Sequence, residues 1–171
     1  PRGTGFLYAR RSILRTLEPP FLDLHSASWT APDTYEIRDD ARRFENWERY
    51  VAGQIGLGVA AEVAAELGLP AIEERVTGLA TRLREALAER PGVTVLDRGE
   101  RRSGIVTFTV EGHDARELKL SWREQGINVS VTDGATQHYD SKAAPAAIRA
   151  SAHYYNTEEE IDRLVAAVPV P

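Results

Sequence analysis

The sequence predicts an α/β chain, one small sheet covered mainly on one side by helices. Three observations predict it: two long stretches with apolar residues at helical spacing, short β-prone runs after them, and cap signatures at Asp114 and Thr157 that open further helices. From the first long helix onward the expected order is helix, helix, strand, strand, helix, strand, loop, strand, helix.

Gly5 to Ala9 (GFLYA) reads as a short buried strand, because its apolar run is brief, aromatic-containing and bounded by glycine and by Arg10-Arg11. Ser12 to Leu17 is expected to form a short helix. Glu18 to about Phe44 holds Pro19, Pro20 and Pro32 among many polar residues and keeps no period, so a long connecting loop is expected. Val51, Ile55, Val59, Val63 and Leu67 then recur every four residues and mark one face of a helix. Gly53, Gly56 and Gly58 each cost about 1 kcal/mol there against alanine, which close approach of another backbone would justify. Gly68 suits the stop of that helix and Pro70 the first turn of the next.

The second helix carries Ile72, Val76, Leu79, Leu83 and Leu87 on one stripe, with charge opposite, and Pro91-Gly92 ends it. Val93 to Leu96 and Ile105 to Val110 read as strands joined through Gly99 to Gly104. Asp114 with Glu117 three residues on resembles a capping box, opening a helix through Trp122 that Gly126 closes. Ile127 to Val131 and Ile148 to Ala152 are further strand candidates. Thr157 and Glu160 form a second capping box, and Ile161, Leu164, Val165 and Val168 form the inner face of a last helix.

With 171 residues, 42% of them apolar, the chain can bury one core and part of another. Its net charge of -5 offers no basic footprint for nucleic acid and no polybasic patch for a membrane, and charge, glycine or proline interrupts every apolar stretch well short of a spanning helix. The absence of cysteine from this sequence removes disulfides, cysteine-ligated metal and thiol nucleophiles. His25, His113 and His153 have no metal-ligand spacing, so no metal site is expected. With no signal-peptide pattern, a cytoplasmic chain is expected. Pro1 opens a chain without methionine, which is expected of a processed chain or a piece of a longer one.

Three segments carry a resemblance: PRGTGFLYAR at Pro1 to Arg10, RFENWERYVAGQIGLGVA at Arg43 to Ala60, and IRASAHYYNTEEEIDRL at Ile148 to Leu164. In order and spacing, with the Gly126 to Asn128 turn between them, they resemble the second half of the class V aminotransferase and cysteine desulfurase family of pyridoxal-phosphate enzymes. The resemblance implies the small C-terminal domain of a fold type I enzyme, with a mainly antiparallel sheet covered by helices, over residues 46–171. Residues 1–45 would then be a remnant of the large cofactor-binding domain and a connecting loop. It further implies an amino-acid substrate, a homodimer and pyridoxal 5'-phosphate as cofactor.

By the same resemblance, Arg149 falls on the arginine that grips the substrate α-carboxylate, a task that suits a planar guanidinium with two parallel donors. The alternative is a strand arginine paired with a surface acid. Asn46 and Trp47 fall where the family presents groups to the cofactor phosphate. The desulfurases have a small Gly-Thr pair where this chain has Trp47-Glu48, and a helix cap with an interface aromatic is the competing reading. Thr4, between Gly3 and Gly5, is a further candidate for the cofactor, or a tight turn into a strand. The desulfurase nucleophile would belong between Val131 and Ala144, where the chain reads TDGATQHYDSKAA without a cysteine, so thiolate attack by this chain is excluded. His138 in that loop is the candidate for proton transfer, against a merely solvated histidine. Lys119 and Lys142 sit in a helix and a polar loop, and the family's cofactor-binding lysine would fall before Pro1. Alone, the chain is then expected to be inert. The reading from another class is a stand-alone α/β binding or interaction module without cofactor.

Overall fold

The computed structural model describes residues 2–132 and 146–170. The chain divides into two compact units, Pro1–Glu66 and Leu67–Pro171.

The second unit holds most of the buried core. Helix α3 (Leu69–Ala88) starts after Gly68, whose φ of 86° is open to glycine, and takes Pro70 in its first turn. Leu79, Leu83 and Leu87 of the expected stripe are buried. Strands β3 (Val93–Val95), β4 (Ile105–Val110), β5 (Ser130–Thr132) and β6 (Ala147–Ser151) make a fully antiparallel sheet in the order β3-β4-β6-β5. Val106, Phe108 and Val110 of β4, with Ile148 and Ala150 of β6, form its buried face. Helix α4 (Ala115–Glu124) is capped by Asp114, which accepts from the amides of Arg116 and Glu117. Its Trp122 stacks on Phe108 with ring centroids 6.4 Å apart and donates its indole N–H to the Ala167 carbonyl. Helix α5 (Glu158–Ala167) opens on the expected reciprocal box between Thr157 and Glu160 and buries Ile161 and Leu164.

The first unit departs further from expectation. Gly5 to Ala9 forms no strand, and Phe6, Leu7 and Tyr8 stand exposed, because a strand needs a neighbour's backbone and none of the described residues supplies it. After the short helix α1 (Arg11–Leu14), the expected loop contains a hairpin, β1 (Ala27–Ala31) paired with β2 (Thr34–Ile37), and a 3-10 turn at Ala41–Phe44. Helix α2 (Val51–Leu67) forms as its spacing predicts. The stripe Val51, Ile55, Val59 and Val63 is nevertheless exposed on it. Gly53 is buried where an added Cβ would meet the Tyr50 ring and the Thr4 methyl, so side chains rather than a second backbone occupy the space that its missing side chain leaves. No single helix among the described residues is long and apolar enough to cross a membrane.

Candidate functional site

In the second unit, Arg149 occupies the middle of β6 with Thr107 of β4 and Ser130 of β5 as its Cα partners. Its strand neighbours Ile148 and Ala150 point into the core, so the period of two sends Arg149, Thr107 and Ser130 to the opposite face. There its Nε is shielded from solvent without a hydrogen-bond partner. Among the described residues no carboxylate forms an ion pair with it, whereas the arginines at 75, 82 and 84 all have one. A shielded guanidinium donor left unsatisfied is costly, and a planar anion is the ligand that answers it.

Beside Arg149 runs a buried polar network that the sequence did not disclose. Arg84 pairs with Asp97 at 2.7 Å and donates to the carbonyls of Ser103 and Ile105. The other oxygen of Asp97 accepts from the Thr107 amide at 2.9 Å and from its hydroxyl at 2.6 Å. Burial alone would raise the Asp97 carboxyl, but the bonds from Thr107 and Arg84 outweigh it and hold it below the usual carboxylate value.

In the first unit, Asp23 organises a second cluster. Its carboxylate accepts from the amides of His25, Ser26 and Trp47, the last at 2.6 Å, and the nearby Asn46 side chain also favours its ionised form. The Trp47 amide, ahead of the others, holds the Asp23 carboxyl below its ordinary value. His25 Nε2 lies 3.0 Å from Glu45, and its ring meets that of Trp47 edge-on at 6.5 Å. Arg43 is buried with its Nε unpartnered. Of the candidates for the cofactor phosphate, Trp47 has therefore committed its backbone N–H to Asp23, and Asn46 lies near the same carboxylate. The exposed indole of Trp47 makes no hydrogen bond among the described residues. Thr4 packs beside Gly53 at the start of α2. His138 lies outside the described residues. Among the described residues no group of three or more His, Cys, Asp or Glu could hold a metal.

Sequence reasoning named Arg149, Asn46, Trp47 and Thr4 but missed Asp23, Asp97 and Arg84. The spacing of Asp23 and Ser26 carried a signal, since such pairs bond nearby backbone and close turns. The Arg84–Asp97 pair had none, because neither residue lies in a pattern that distinguishes a buried ion from a solvated one.

The model of the family described as Aminotransferase class-V matches residues 1–164. The chain is 31% identical over 173 residues to a probable cysteine desulfurase of Halobacterium salinarum, covering 98% of this chain and 41% of that protein. It is 32% identical to a cysteine desulfurase of Serratia proteamaculans, covering 98% and 42%. Among solved structures it is similar to the cysteine desulfurase CsdA of Escherichia coli, with a TM-score of 0.81 and 26% identity over 94% of this chain and 40% of that one. The cystine C-S lyase C-DES, solved with its product cysteine persulfide, shares the fold at a TM-score of 0.77 and 24% identity, over 96% of this chain and 42% of that one. The chain spans about two fifths of the length of these relatives. Across nearly its whole length, in sequence and in fold, this chain belongs to the class V aminotransferase family.

Proposed function

We propose that this chain is the C-terminal part of a cytoplasmic, homodimeric pyridoxal-phosphate enzyme acting on an amino acid, and that it supplies the arginine that binds the substrate α-carboxylate. Residues 1–45 are assigned to the large domain and the connection from it, and residues 46–171 to the small domain. The observation that carries the reading is the shielded, unpartnered Nε of Arg149 on the face of the sheet turned away from the core. Such a donor suits a carboxylate held by two parallel hydrogen bonds. Binding there orients the bonds at Cα.

Pyridoxal phosphate, when bound, supplies the electron sink for the charge left at Cα. The indole N–H of Trp47, with Thr4, would face its phosphate, with Asn46 beside them, while the Trp47 amide holds that segment in shape through Asp23. Glu48 must then point away, since a carboxylate beside a phosphate is repelled. His138 is proposed for proton transfer. The chain offers no thiol, so the reaction is a transamination, an elimination such as C–S lysis, or an epimerisation, rather than sulfur abstraction by a cysteine of this chain.

The test is Arg149→Lys in the whole enzyme, comparing an α-amino acid with the amine that lacks its carboxylate. Lysine keeps the charge and loses the fork, so affinity for the acid should fall roughly tenfold to a hundredfold, while the amine and the cofactor bind as before. Equal losses for acid and amine would make Arg149 a structural strand residue.

A further inference from the structure

We infer that Thr107 and Asp97 are positioning residues for Arg149, an inference that rests on the carboxylate reading above for its consequence but not for its geometry. Both backbone groups of Thr107 are turned towards the β3 side: its amide donates to Asp97 and its carbonyl accepts from Leu96. Amide and carbonyl of one residue point the same way in an antiparallel strand, so neither is directed at β6. Thr107 and Arg149 are therefore a non-hydrogen-bonded pair, the kind whose Cα atoms approach to about 4.5 Å and whose side chains lie closest.

The Thr107 side chain is fixed from its far side. Asp97 spends one oxygen on Arg84 and the other on the Thr107 amide and hydroxyl, and Arg84 is itself tied to the carbonyls of Ser103 and Ile105. A β-branched residue whose hydroxyl is held has no freedom left at χ1, so its γ-methyl is fixed as well, at the strand position paired with Arg149. This explains how Arg149 keeps an unsatisfied Nε shielded from solvent. A long flexible side chain would turn that donor out to water unless a rigid neighbour barred the way. Arg84, Asp97 and Thr107 act in series, and only the last of them adjoins Arg149.

The experiment uses the full chain labelled with nitrogen-15 arginine, following the Nε–H resonance of Arg149, assigned by its loss in Arg149→Lys. Thr107→Val keeps the shape and removes the hydroxyl, and Asp97→Asn weakens its hold. Each should shift the resonance and speed its exchange with water. Thr107→Ser retains the hydroxyl and should restore slow exchange. Val168→Ala, a cut in the core away from this face, should leave the resonance in place. An unmoved resonance in Thr107→Val and Asp97→Asn, or an equal shift in Val168→Ala, overturns the inference.

In the whole enzyme, Thr107→Val should lower the preference for an α-amino acid over its amine about tenfold, with Thr107→Ser close to the parent. Loss of the resonance effect refutes the positioning. If Arg149→Lys leaves the acid preference intact, the carboxylate reading fails instead, and the resonance still decides the geometry.

Discussion

The two units solve the problem of order differently. In Leu67–Pro171 a set of large apolar side chains is inside: Trp122, Phe108, Leu83, Leu87 and Ile148 are all under 2% exposed. Among the described residues of Pro1–Glu66 the buried apolar side chains are small or few, Leu14, Pro19 and Ala27, whereas Phe6, Tyr8, Phe21, Trp29, Trp47 and Ile55 are exposed and the polar Ser26 and Arg43 are buried. The second unit is held by the transfer of apolar surface out of water, which is nondirectional and accumulates with area. The first is held locally by hydrogen bonds converging on Asp23. Directional bonds can fix a shape, but each contributes little net free energy in competition with water.

The largest effect that separates the two belongs to Phe108→Ala. It removes the ring under Trp122 and should destabilise the second unit by about 3–5 kcal/mol in denaturant unfolding. Amide signals from residues 2–66 should persist beyond the shifted midpoint or vanish independently of it. Loss of both sets at one midpoint would show a single cooperative body and break the comparison.

Asp23→Ala addresses the first unit. The amides of His25, Ser26 and Trp47 should lose protection together and exchange at the rate of exposed loop amides, while those of β4 and β6 are unchanged. Protection retained at Trp47 would mean that something other than Asp23 holds the segment.

The smallest effect concerns acid. Arg75 forks onto Glu158 at the start of α5 and lowers its carboxyl from 4.5 to about 2. A carboxylate whose folded value is depressed stabilises the fold above its unfolded value, and that contribution fades as pH falls from about 4.5 to about 2. Because the pair is exposed, the effect should be modest and reduced by salt. Stability curves of the parent chain and Glu158→Gln should converge across that window, and a constant gap between them would show that Glu158 acts by packing.

How much of this was legible follows from the same contrast. The second unit could be read almost element by element, because a residue that must face a core recurs at the period of its helix or strand. Ile105 to Val110 matches β4, and the Thr157–Glu160 box opens α5 as expected. The Ile127 to Val131 strand instead begins at Ser130, since a short run with polar neighbours leaves the pairing register to the tertiary contacts. In the first unit, Trp29, Thr30, Thr34 and Tyr35 around Pro32-Asp33 are β-prone residues flanking a turn pair, a hairpin signal outweighed by Pro19 and Pro20 ahead of it and by Pro32 itself. The α2 stripe shows the converse, where periodicity announces a helix and an apolar face but cannot say whether anything covers it. At the candidate site, Arg149 was named through its surrounding motif. Thr107 was not, because its neighbour across the sheet lies far along the chain.

That separation also governs how the molecule is assembled. The β3–β4 hairpin closes over a short loop, but β4 at the centre of the sheet must find β6 some forty residues later, after α4 and β5 have been laid down. Closing the longer loop costs more entropy before any contact rewards it, so the local hairpin and the helices can form ahead of the central pairing. Arg149 arrives with the last strand. The surface it shares with Thr107 is therefore completed late in folding, and a chain arrested before that step would carry helical structure and a formed hairpin without the face that presents Arg149.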